Sequence, residues 1–195
     1  MTMEDRIQQN PSLIDTVPDE LKTYTMCMTA VRSYGCRLRY VPNHLRTVEM
    51  CKTAVSDTGF AIEYVPERFK TAEICAIAVQ GERGSNVAFE YVPDTLKDEE
   101  MCRVAVQRNG LAIKHVPDRH KTKEMYELAL HTNGLALQFV PDALKTQERC
   151  IELVKDNCHL RNFVPDRLKC SEMDVMCHVC KYLFNNSPPC RNLEK

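Results

Sequence analysis

The 195-residue sequence lacks charge of either sign in excess: 26 Lys and Arg stand against 27 Asp and Glu, for a formal net charge of −1. A balanced chain has no electrostatic pull toward nucleic acid or an anionic membrane surface. It also lacks a long hydrophobic run, since no stretch approaches the roughly 18 apolar residues that a membrane-crossing helix needs. The opening Met1-Thr2-Met3-Glu4-Asp5-Arg6 lacks the charged-then-apolar layout of a secretory leader. The expectation from these absences is a cytoplasmic protein without a membrane role.

Catalytic signatures are missing as well. There is no phosphate-cradling glycine loop and no H-E-x-x-H. Gly81-Glu82-Arg83-Gly84 comes nearest to such a loop but lacks the Lys-Ser/Thr ending. Of the six histidines, none is paired by sequence with a nucleophile and a carboxylate in a familiar order. His115 and His120 read as half-buried replacements for a repeated Tyr and a repeated Leu. No enzyme and no cofactor are expected.

What is present is a period. Val-Pro pairs begin at Val17, Val41, Val65, Val92, Val116, Val140 and Val164, spaced by 24, 24, 27, 24, 24 and 24 residues. A fixed period of this length marks a repeat architecture, in which each short unit buries its apolar face against its neighbours. Laid over one another, the units read V-P-D-x-L-K-T-x-E-M-C-x-x-A-V-x-x-x-G-x-A-L-x-Y. The spacing predicts an all-α solenoid of about seven 24-residue helical repeats. A capping half-repeat would occupy 1–16, six repeats 17–163, and a capping repeat with its tail 164–195. The third repeat carries three extra residues around Gly81–Gly84.

Within a unit the second half reads as a helix of about three turns. Thr47, Thr71, Thr122 and Thr146 stand where an N-cap hydroxyl is wanted, and Glu49, Glu73, Glu124 and Glu148 complement the positive end of the dipole. Met50, Cys51, Ala54 and Val55 form an apolar stripe at helical spacing. Gly59, Gly110 and Gly134 fall where a left-handed residue often closes a helix. The following Gly-x-Ala-Leu-x-Tyr run ends at Val-Pro, because a residue before proline is pushed to extended backbone. Ala and Leu favour a second short helix there, and an α/β horseshoe with a strand in that place is the alternative. The last unit leaves the pattern after Met173, and its Asp174–Phe184 run reads as a longer helix.

The run A-V-x-x-x-G-x-A-L, with a lysine before the next helix, resembles a tandem repeat family of undefined function found in bacterial and giant-virus proteins. The matching stretches are Ala105–Leu111 preceded by Lys97, and Ala129–Leu137 between Lys121 and Lys145. The likeness covers most of residues 17–170. It implies helical repeats and no catalytic chemistry.

Three sets of residues invite a functional reading. Cys27, Cys51, Cys75, Cys102 and Cys150 share one register, but equivalent residues on helices packed about 8–10 Å apart are too distant for disulfides or a shared metal. They read as small core residues. At the C-terminus, Cys170, Cys177, Cys180 and Cys190 could in principle hold zinc, although Met173, Cys177, Cys180 and Phe184 also make the buried stripe of a capping helix. A basic residue recurs in every unit as Lys22, Arg46, Lys70, Lys97, Lys121, Lys145 and Lys169. It is either a rail for a nucleic-acid backbone or a set of cations offset by each unit's own acid, such as Asp94, Asp118, Asp142 and Asp166.

Specificity is sought at positions that differ between units. These are Glu20, His44, Arg68, Arg119 and Arg167 on the loop edge, the residues 39, 63, 90, 114, 138 and 162 at each penultimate position, and the insertion near Arg83. His44, Arg68, Arg83, Lys114, Arg119, Gln138 and Arg167 are the candidates for contacting a partner. The reading is a non-catalytic scaffold that binds another protein as adaptor or inhibitor, with nucleic-acid binding and a zinc-stapled structural protein as alternatives.

Overall fold

An oxygen-bearing side chain in front of each principal helix takes up one of its free amides. Thr23, Thr47, Thr71, Asp98, Thr122 and Thr146 lie in extended backbone and accept a hydrogen bond from the N–H three residues on. The computed structural model describes residues 2–81, 83 and 85–176. In it the caps open α2 (Tyr24–Ser33), α3 (Val48–Asp57), α4 (Ala72–Gln80), α6 (Glu99–Arg108), α7 (Lys123–Thr132) and α8 (Gln147–Asp156). A first helix, α1 (Met3–Gln9), precedes them with its own capping box from Thr2 and Asp5. The four-residue α5 (Ser85–Ala88) follows the insertion.

The second element of each unit is a 3-10 helix. It spans Pro11–Thr16, Gly35–Tyr40, Gly59–Tyr64, Gly110–His115, Gly134–Phe139 and Cys158–Phe163, and is shortened to Phe89–Tyr91 after α5. It ends on the valine before each proline, whose extended backbone stops any helix (Val65 φ −74°, ψ 123°). In the later units an asparagine starts it: Asn109, Asn133 and Asn157 each accept from the amide two residues on. No strand occurs among the described residues, so the fold is all-α and the strand-bearing alternative does not describe them. The tight turns after proline, such as Asp94–Leu96 and Asp142–Leu144, set Leu45, Leu96 and Leu144 against the core.

Packing runs from neighbour to neighbour. α2 packs on α3, α3 on α4, α4 on α6 and α6 on α7, while the 3-10 helices form a second file alongside. Two-layered units stacked this way are compatible with the solenoid that the repeat predicts. The core between the layers holds Met50, Cys51, Ala54 and Val55 of α3 with Ala61 and Ile62, all fully buried, and their equivalents in other units. Helices of about three turns are marginal alone in water, so this shared burial supplies most of their stability.

The glycines depart from the sequence expectation. Gly35, Gly59, Gly110 and Gly134 do follow the α-helices, but none adopts a left-handed backbone. Each begins a 3-10 helix after an extended C-cap residue such as Thr58 (φ −144°) or Asn109 (φ −147°). At three of them the requirement is space. A Cβ on Gly35 or Gly59 would stand 2.2 Å from the carbonyl oxygen of Ala54 or Ala78 in the following unit, and one on Gly110 would stand 2.4 Å from that of Ala129. Glycine facing alanine lets one unit's backbone lie directly on the next.

Candidate interaction face

The recurring basic residue faces inward rather than along a rail. Lys97 is 4% exposed, and Lys22, Lys70 and Lys145 are buried to a similar degree. Its Nζ meets Asp94 at 2.8 Å and donates to the carbonyl of His115, the last residue of the next 3-10 helix, at 3.0 Å. Lys22 does the same with Asp19 and the Tyr40 carbonyl, Lys70 with Glu67 and Tyr91, and Lys145 with Asp142 and Phe163. In the second unit Arg46 spans the carbonyls of Val41 and Tyr64. Lys121 and Lys169 keep the acid partners Asp118 and Asp166 and are more exposed. The side chain thus ties the turn at the start of its own unit to the last carbonyl of that unit, one that the Val-Pro break leaves without a helical donor. Lys97, hydrogen-bonded to Asp94, holds that carboxyl below its usual range.

Three of the loop-edge arginines act as a second staple. Arg68, Arg119 and Arg167 lie exposed in stem and reach back to the turn carbonyls of Asn43, Asp94 and Asp142 in the preceding unit. Arg119 also donates to the Lys97 carbonyl. Arg83 is exposed, stands 3.9 Å from Asp57, and its own carbonyl accepts from Gly59 N–H. His44, Lys114 and Gln138 are exposed, and the Gln138 amide folds back onto the Leu135 carbonyl. The candidates therefore do not converge on one point. They fall on two edges of the stack, with Lys114 and Gln138 on the 3-10 helices.

The cysteine register is core. Cys27, Cys51, Cys75, Cys102 and Cys150 are fully buried and unpaired to one another. Burial pushes the thiols of Cys51, Cys75 and Cys102 up to about 11, which removes thiolate chemistry at neutral pH. Of the C-terminal set only Cys170 is described, half-buried against the core. Cys177, Cys180 and Cys190, with most of the Asp174–Phe184 run, lie outside the described residues, among which no cluster of metal-binding side chains occurs.

The two long faces differ in chemistry. On the α-helical side, some charges pair: Lys52 with Glu73, Arg149 with Glu127 and Lys155 with Glu172 across units, and Arg149 with Glu152 and Arg103 with Glu100 within a helix. On the 3-10 side, residues three apart eclipse. One such pair is buried nowhere. Its first member is Cys36, Phe60, Leu111 or Leu135 on the 3-10 helices, with Val87 of the short α5 in the corresponding place and His159 in the last unit; the apolar ones are partly or openly exposed, Val87 and Leu135 at 38%. Its second member is the variable polar residue Arg39, Glu63, Glu90, Lys114 or Gln138. Beside them runs a half-buried ladder of Tyr40, Tyr64, Tyr91, His115, Phe139 and Phe163. Sequence reasoning named the polar and aromatic positions but missed the apolar one, because the i, i+3 match means nothing until the segment is known to be a 3-10 helix.

Local contacts order this face. Phe60 sits edge-on to Tyr64 at 6.1 Å and to Tyr91 at 5.7 Å. Arg39 lies over the rings of both Tyr40 and Tyr64. Burial, then the carboxylates of Glu63 and Glu90, push the Tyr91 phenol above its ordinary value. Glu90 Oε2 is 3.6 Å from His115 Nε2, but burial and the adjacent Lys114 push that imidazole below its usual range, leaving it neutral at pH 7. Glu63 and Lys114 have no ion-pair partner among the described residues. Between the third and fourth units the face opens into a groove of about 120 Å³ bordered by Val87, Glu90, Leu111, Lys114 and His115.

Residues 98–145 match the model of a family described as a domain of unknown function (DUF4116). The matched span runs from the N-cap of α6 to the lysine just before α8, the length of two repeats. No curated protein and no solved structure matches the chain.

Proposed function

We propose that this chain is a non-catalytic binding protein that holds a partner protein, as adaptor or inhibitor, along its 3-10 face. The observation that carries the reading is the alignment on the 3-10 side, where a partly exposed apolar position, an aromatic rung and a variable polar residue recur from unit to unit. Protein interfaces favour such a mixture of aromatic and apolar anchors with a polar rim. A protein partner is preferred over a polyanion because most of the recurring cations are already engaged by acids and carbonyls within the stack.

Site-specific photocrosslinking tests the reading. A benzophenone side chain at Leu135 should give a discrete crosslinked protein in the native host, and one at Glu127 on the α side should not. Equal crosslinking from both positions, or none from Leu135, removes the assignment of the face.

A further inference from the structure

The penultimate residues on the 3-10 face spell a charge sequence along the stack: Arg39 positive, Glu63 and Glu90 negative, Lys114 positive. Their spacing is bounded by the ladder beside them. Arg39 lies 5.2 Å from the Tyr40 ring centroid and 5.8 Å from that of Tyr64, so those rungs are no more than about 11 Å apart. Packed helical units stand about 8–10 Å apart, which agrees. A ligand that matches one charge per rung must therefore repeat at close to this interval.

Common peptide conformations differ in whether they can do so. An extended strand returns to the same side every second residue, at about 6.8 Å or twice that, and misses the rungs. A polyproline-II segment has three residues per turn and rises about 3.1 Å per residue, so every third side chain falls on one edge about 9.3 Å apart. An α-helix returns near the same side after seven residues, about 10.5 Å. Aromatic-lined grooves are the usual dock for polyproline-II, because proline rings pack against aromatic surface at little entropic cost. Here the rungs are aromatic, and Val87 and Leu111 border an open groove between two of them.

We infer that the partner presents an extended, proline-rich segment in the polyproline-II conformation, with an acid, a base, a base and an acid at every third residue, lying across Arg39, Glu63, Glu90 and Lys114. This rests on the 3-10 face being the binding side. The required charge pattern is palindromic, so it reads the same whichever way the segment runs. Prolines between the charged residues would fall against the aromatic rungs and the Val87–Leu111 groove.

The test is fluorescence anisotropy with labelled synthetic peptides of the form acid-Pro-Pro-base-Pro-Pro-base-Pro-Pro-acid. The matched peptide should bind at least about tenfold more tightly than the same peptide with every charge inverted, since complementary and like-charged juxtapositions differ by that much or more. The variant Arg39→Glu/Glu63→Lys/Glu90→Lys/Lys114→Glu changes only exposed positions and should reverse the preference. Equal affinity for matched and inverted peptides overturns the inference, as does tighter binding of a helical peptide with the same charges seven apart. Failure of every peptide to bind at about 1 mM, the weakest affinity worth counting, overturns it too. The crosslink at Leu135 separates the two levels: a crosslinked partner without peptide discrimination defeats this inference alone, and no crosslink defeats the reading beneath it.

Discussion

Substituting alanine for two glycines in the same register separates close packing from backbone conformation as the reason for glycine. At Gly59 the new methyl would meet the Ala78 carbonyl oxygen at 2.2 Å, its carbon at 3.2 Å and the Arg83 carbonyl oxygen at 3.3 Å. All three are backbone atoms, so no side chain can rotate away and the third unit must shift by about an ångström. Forcing extra volume into a packed core costs about 1–3 kcal/mol, and the rigid obstacle puts Gly59→Ala in the upper part of that range. At Gly134 the same methyl meets Leu160 Cδ1 at 3.1 Å and Leu153 Cδ2 at 3.3 Å, the far ends of flexible side chains. There the reduced freedom of the unfolded chain, worth about 0.4–1 kcal/mol, largely offsets the crowding. Gly134→Ala should stay within about 0.5 kcal/mol of the parent. For a chain of this size about 1 kcal/mol moves Tm by 2–4 °C, so the two variants should melt about 5–10 °C apart by circular dichroism. Because a stack of repeats can open at one junction, amide exchange should quicken first in α3 and α4 of Gly59→Ala. Equal melting temperatures would refute the packing argument and restore a conformational role common to the register.

Two further outcomes follow from the staples and the ladder. Lys97→Met leaves the His115 carbonyl without its donor and should cost about 2 kcal/mol in urea denaturation, against less than about 1 for Asp94→Asn, whose carboxylate is exposed; equal costs would show that the ion pair and not the carbonyl bond matters. The His115 imidazole is held below its ordinary value of 6.5, so as pH falls the unfolded chain takes up the proton first and stability drops through and below that value. His115→Phe, the residue of the next two rungs, should lose less stability than the parent between pH 7.5 and 5.5, and an unchanged loss would place the titrating group elsewhere.

The α-helices were legible because each of their signals is local. A cap, an apolar stripe at 3.6 spacing and a proline beyond the unit can all be read within two dozen residues, and Thr47, Met50 and Pro66 are where those rules put them. The family likeness rested on the same stretch, and residues 98–145 carry the match to a domain of unknown function. Gly59 and Lys97 were located correctly and explained wrongly or incompletely. Their causes lie far along the chain, at the carbonyl of Ala78 in the next unit and that of His115 at the end of the same unit, and separations of 19 and 18 residues leave no local trace. Arg68, Arg119 and Arg167 drew attention as variable positions, yet each reaches back 25 residues to a turn carbonyl.

That division of work explains why one edge of each unit can vary. The demands of closing each unit and stacking it on the next are met by backbone carbonyls, a basic side chain within the unit, a glycine facing alanine and the buried member of each 3-10 helix, such as Ile62 or Ile113. None of these uses the side chains at 39, 63, 90, 114 or 138, which stand exposed on the same helices. Of the apolar neighbours at 36, 60, 87, 111 and 135, Val87 and Leu135 stand exposed with them, while Cys36, Phe60 and Leu111 are half-buried and Phe60 packs edge-on against Tyr64 and Tyr91. Packing accounts for the half-buried members of that row, whereas the exposure of Val87 and Leu135 is what the proposed contact with a second molecule would use.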